Sequence, residues 1–69
     1  MRDYTAIIMV CQKRPWFRLV HIEALNKSDA CSVARAKIFE EYKTTMALHA
    51  STRIQCLKIF DGWIDPSKI

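Results

Sequence analysis

Three cysteines, Cys11, Cys31 and Cys56, and two histidines, His21 and His49, are the residues of widest chemical range in this 69-residue chain. A zinc centre takes about four ligands, with cysteines usually in closely spaced pairs. No two cysteines here are near in sequence, so no metal is expected. Their odd number and wide spacing also depart from the even, dense set of a disulfide-stapled scaffold. They read as buried thiols that act as small hydrophobes in a reducing cytosol. Cys31 falls near the start of an expected helix, where a thiolate is favoured, and His21 or His49 would be its base. However, no nucleophile motif surrounds any serine or cysteine, and one small domain has little room for a substrate cleft. The adjacent acids Glu40 and Glu41 point about 100° apart on a helix and do not converge. The expectation is a chain without catalysis and without a cofactor.

A second group joins charge to aromatic area. Lys13, Arg14, Trp16, Phe17 and Arg18 crowd one short stretch. Such residues at a hairpin tip can hold phosphates and stack a base. They are equally the types that dominate protein interfaces. The stretch matches no RNA-recognition, homeodomain, zinc-finger or KH signature. The plainer alternative is a solvated turn, with Trp16 packed across a sheet. Arg53 and Lys58 would join the group if their strand presents its polar set on the same side. Across the chain, 11 Lys and Arg stand against 7 Asp and Glu, a net charge of +4 and a pI near 9.2. This field attracts nucleic acid, acidic proteins or anionic lipid without choosing among them, and no block of five like charges concentrates it.

These residues need elements to position them. At 51% hydrophobic and 26% charged, with one Gly and two Pro, the composition is that of a single globular domain. No apolar run is long enough to span a membrane, and Met1-Arg2-Asp3-Tyr4 does not read as a signal peptide. Tyr4 to Cys11 is β-rich and almost continuously apolar, as a central strand would be. Gln12-Lys13-Arg14-Pro15 breaks it as a hairpin loop. Trp16 to Ala24 follows as a second strand with Val20, Ile22 and Ala24 toward the core. Ser28, with Asn26 as its competitor, is expected to cap a helix running from Asp29 to about Thr44. Ala30, Ala34, Ile38 and Tyr42 form its apolar row. Residues 44–52 are expected to be irregular, with Met46 and Leu48 turned inward. Arg53 to Phe60 reads as a third strand and Asp61-Gly62 as a turn. Trp63-Ile64 is a short extension, and residues 65–69 are a tail expected to fray.

The predicted fold is α+β, ordered β-β-α-β: a three-stranded antiparallel sheet, spatial order 2-1-3, covered on one face by one helix. The other face would hold Ile7, Met9, Cys11, Phe17, Leu19 and one set from strand three. An exposed apolar face of this kind marks an interaction site, unless the Trp63 tail or residues 44–52 cap it. A second copy of the chain or a larger partner are the other candidate occupants.

Ile22-Glu23-Ala24, Ser28, Ala30 and Ala34 spell a strand–cap–helix pattern, I-E-A-x-x-x-S-x-A-x-x-x-A. In this the chain resembles small phage- or prophage-encoded proteins that seize a host machine, of two kinds: podophage RNA-polymerase inhibitors and anti-CRISPR proteins directed at multisubunit complexes. The likeness covers about 13 residues, lies in the strand and helix starts, and carries over no functional residue. It implies a compact body that works without catalysis in the host cytoplasm and blocks a larger protein or nucleoprotein complex. The basic balance departs from inhibitors that mimic DNA with acidic surfaces. The partner-binding residues expected are Lys13, Arg14, Trp16 and Arg18, with Arg53 and Lys58. A small basic nucleic-acid-binding protein is the alternative.

Overall fold

The computed structural model describes residues 1–49 and 51–68. Three strands and one helix follow in the order β1 (Arg2–Cys11), β2 (Trp16–Ala24), α1 (Lys27–Tyr42) and β3 (Arg53–Asp61). Both neighbours of β1 run antiparallel to it, and the sheet order is β2-β1-β3. This is the α+β arrangement the sequence predicts.

Alternation along β1 decides the two faces. Tyr4, Ala6, Ile8 and Val10 are buried beneath α1 with Val20, Ile22 and Ala24 of β2. From α1 come Ala30, Ala34 and Ile38. The two alanines have no exposed surface at all, so the N-terminal half of the helix lies close to the sheet, while Ile38 fills the gap further along. On β3, Ile54 and Cys56 stand opposite Val10 and Ile8. One residue is then inserted: Ile7 pairs with Lys58 and Ile8 with Cys56, leaving Leu57 unpaired. This bulge resets the alternation, so Ile59 returns to the core face opposite Ala6.

Asn26, not Ser28, caps the helix. Its side-chain oxygen accepts from Asp29 N at 2.9 Å, and the Asp29 carboxylate accepts from Leu25 N at 3.2 Å. The reciprocal pair satisfies two amides at once, a close relative of the capping box. That places Ser28 inside the first turn.

The other end explains how the helix stops without glycine. Leu48 N donates to Lys43 O at 3.0 Å and Ala47 N to Thr44 O at 3.4 Å, with Ala47 at φ 51°. These are the paired bonds of a Schellman turn, in which the left-handed residue is usually glycine. The turn drives Leu48 into the core at 6% exposure, as expected, but leaves Met46 40% exposed, contrary to expectation. The inward place that Met46 was expected to take is therefore closed to it by the turn's own geometry. Pro66–Lys68 form one 3₁₀ turn; the expected fraying of the tail extends to Ile69, outside the described residues.

Cys31 of α1 and Cys56 of β3 meet where helix and sheet pack, their sulfurs 2.8 Å apart in a thiol–thiol hydrogen bond. Burial first, then the neighbouring Cys31 thiol, push Cys56 up to about 12, against the opposing pull of Arg35.

Two measurements check this description. Ala47→Gly removes the left-handed penalty on a Cβ and should raise stability by about 0.5–1 kcal/mol in urea unfolding. Above about pH 9 the unfolded chain releases the Cys56 proton while the folded chain keeps it. Folding stability should therefore fall as pH climbs from 9 toward 12, with a slope that flattens in Cys56→Ala.

Candidate interaction site

Register assigns the sheet's second face. Thr5, Ile7, Met9 and Cys11 of β1 lie across from His21, Leu19 and Phe17 of β2, and from Phe60, Lys58, Gln55 and Arg53 of β3. No helix packs here, yet the face is not bare from end to end. Gly62, at φ 78°, turns the chain back after β3, and its amide donates to Asp3 O at 2.8 Å. Residues 62–64 then cross the face from β3, over β1, to β2.

Thr5 anchors that crossing. Its hydroxyl donates to Gly62 O at 2.7 Å and accepts from Ile64 N at 2.8 Å. The threonine has no exposed surface, and both hydrogen-bonding roles of its oxygen are filled. His21 completes the brace: its Nε2 meets Ile64 O at 2.8 Å, and its ring stacks on Trp63 with centroids 5.7 Å apart. Trp63 Nε1 donates to Ile22 O at 3.2 Å, and Lys37 Nζ to His21 O at 3.2 Å. Both side chains thus engage carbonyls of the edge strand β2.

Among the described residues, the contacts of this brace lie at the Thr5 end. Toward the hairpin, Ile7, Met9, Cys11 and Leu19 remain half-buried, while Phe17 is 54% exposed and Leu57 49%. Cations border this apolar area: Arg53 opposite Cys11, and Lys58, whose Nζ stands 5.1 Å over the Phe60 ring.

The six residues expected to bind a partner are therefore divided. Lys13 and Arg14 are exposed at the hairpin tip. They border a cleft with Trp16, Met46, Ala47 and His49. Trp16 and Arg18 alternate onto the helix side, opposite Val10 and Ile8. There the Arg18 guanidinium lies 5.2 Å from the Trp16 ring and 5.4 Å from the Tyr42 ring, and its Nε donates to the Tyr42 hydroxyl at 3.0 Å. The two rings meet edge to face at 5.1 Å. Trp16 Nε1 donates to Gln12 Oε1 at 2.8 Å, and Gln12 Nε2 to Met46 O at 2.7 Å, which ties the hairpin to the turn after α1. Arg53 and Lys58 sit on the opposite face. The condition that the β3 polar set join the hairpin cations on one side is met for neither Trp16 nor Arg18. Sequence reasoning did not single out Leu57 and Phe60 as candidate contacts. A bulge breaks the period-two signal that would have placed them.

Of the residues weighed for catalysis, His21 meets the tail through Nε2 and Cys31 faces Cys56, while His49 is exposed beside the hairpin cleft. Among the described residues, no group of three or more His, Cys, Asp or Glu could hold a metal ion. Among them, too, no helix is long and apolar enough to cross a membrane. Asp65 is held below the usual carboxylate range by the Ser67 amide and hydroxyl, both donating to its Oδ1.

No family model matches the chain, and neither a curated protein nor a solved structure does so.

The division of the six residues is measurable as stability. Arg18→Ala removes a stacked cation and a hydrogen bond and should cost about 1–2 kcal/mol in chemical denaturation. Arg14→Ala, at the solvated tip, should stay within about 0.5 kcal/mol of the parent.

Proposed function

We propose that the chain is a non-catalytic binding protein that docks its open sheet face on a larger protein or nucleoprotein complex in the cytoplasm and blocks it, in the manner of the phage-type inhibitors, anti-CRISPR proteins among them, that it resembles. One observation carries this reading: among the described residues the tail is anchored at the Thr5 end of the face, and Phe17 and Leu57 stay exposed, with Met9 and Leu19 half-buried, beside Arg53 and Lys58. Apolar area with a charged rim is the anatomy of a recognition patch. The sign of the rim calls for a partner with an acidic border around an apolar centre. The helix side offers less, because its aromatics and Arg18 are engaged with one another.

A second reading is a small nucleic-acid-binding protein. It draws on Phe17, exposed on the face that carries Arg53 and Lys58, and on Lys13 and Arg14, exposed at the hairpin tip. Aromatic stacking beside phosphate-holding cations suits a single strand.

The two readings part on salt and on substitution. Purified partner complex should be captured and inhibited by the parent chain. Phe17→Asp combined with Lys58→Glu should weaken capture at least tenfold while the thermal midpoint stays within about 5 °C. Capture that survives this pair removes the face from the proposal. Binding to an oligonucleotide alone, falling with log salt at a slope of roughly −2 to −3 for four phosphate contacts, would favour the second reading.

A further inference from the structure

Cys31 and Cys56 come from different elements, 25 residues apart in sequence, yet their sulfurs stand 2.8 Å apart as free thiols. Nothing in the docking reading uses them. A disulfide needs its sulfurs about 2.05 Å apart, so from 2.8 Å closure asks for an approach of about 0.75 Å. The third thiol, Cys11, belongs to the opposite face of the sheet and the hairpin end. Only one pairing within the chain is thus prepared by the fold.

We propose that Cys31 and Cys56 are an oxidation site: they exchange with a small-molecule disulfide such as oxidised glutathione and close a bond that links α1 to β3. Cys31, as thiolate, attacks one glutathione sulfur. The glutathione S–S bond breaks, one glutathione thiolate leaves, and a mixed disulfide forms on Cys31. Cys56 then loses its proton to solvent and attacks the Cys31 sulfur, expelling the second glutathione. Two cysteine thiols are oxidised, one glutathione disulfide is reduced to two thiols, and the two protons released are taken up by the two leaving thiolates. The order follows from the sites: the Cys56 thiol is held protonated by burial and by its neighbour, so it is the resolving partner. The bond would fasten the edge strand beside its bulge to the first turns of the helix, in a ring closing 25 residues.

The test uses the intact chain incubated with oxidised glutathione at millimolar concentration. Expected are a mass lower by two hydrogens, alkylation of Cys11 alone, and a peptide map joining Cys31 to Cys56. The thermal midpoint should rise by roughly 10 °C or more, as closure of a ring this size implies, and return on reduction with dithiothreitol. In Cys56→Ala a glutathione adduct should accumulate on Cys31. Three thiols still open to alkylation, a bond through Cys11, or a disulfide between two chains as the main product would each overturn the proposal. The parent's mass and peptide map decide the matter even if Cys56→Ala does not fold.

Discussion

One strand with two apolar sides and one helix to cover them is the constraint behind this molecule. β1 has Tyr4, Ala6, Ile8 and Val10 beneath α1, and Ile7, Met9 and Cys11 on the other side. A 16-residue helix shields one layer of three strands and no more. Thr5 is the partial answer. It is the polar member of the uncovered set, and its single oxygen holds the returning chain by two short hydrogen bonds. Burying that hydroxyl without them would cost free energy rather than gain it. The returning chain is therefore fastened to the face where a polar anchor exists.

The helix side meets the same problem of limited area with a different device. Ala30 and Ala34 let the backbone come close, and at the far end, where the gap widens, Trp16, Tyr42 and Arg18 fill it as one stacked unit. An arginine between two rings serves as packing material while its charge stays near water. Two residues of strong interface character are thereby tied to Tyr42, Trp16 half-buried and Arg18 still exposed. The cations beside the open apolar area are those of β3.

The strand and helix signals were legible because each rests on composition over a whole segment: the unbroken apolar run of β1, the alternation of Val20, Ile22 and Ala24, and the four-residue row from Ala30 to Tyr42. Sheet order followed from β1 alone, since a strand apolar on both sides belongs in the middle. What could not be read were features set by single residues. Asn26 and Ser28 are both good caps, and the choice turned on Asp29 reaching back to Leu25 N. Ala47 gives no sign of a left-handed turn, so the fate of Met46 was hidden. The bulge at Leu57 shifts every later side chain of β3 by one, which no alternation count over Arg53 to Phe60 reveals. For the candidate site, the open face was foreseen in its β1 and β2 members. Its division from Trp16 and Arg18 lay in the alternation of β2, whereas the placing of Arg53 and Lys58 on it required the register.

The topology also dictates an order of events. The central strand is made before both of its partners, and β3 follows well after β2: Thr5 and Gly62, joined in the finished molecule, lie 57 residues apart. During synthesis β1 can gain β2 at once across a short loop, but its other edge must wait until α1 and β3 have been made. For that interval a nascent hairpin with an unsatisfied hydrogen-bonding edge and two greasy sides is exposed to every neighbour on the ribosome. The proline and the two cations at its loop, Pro15, Lys13 and Arg14, are well suited to keep such hairpins apart until β3 arrives.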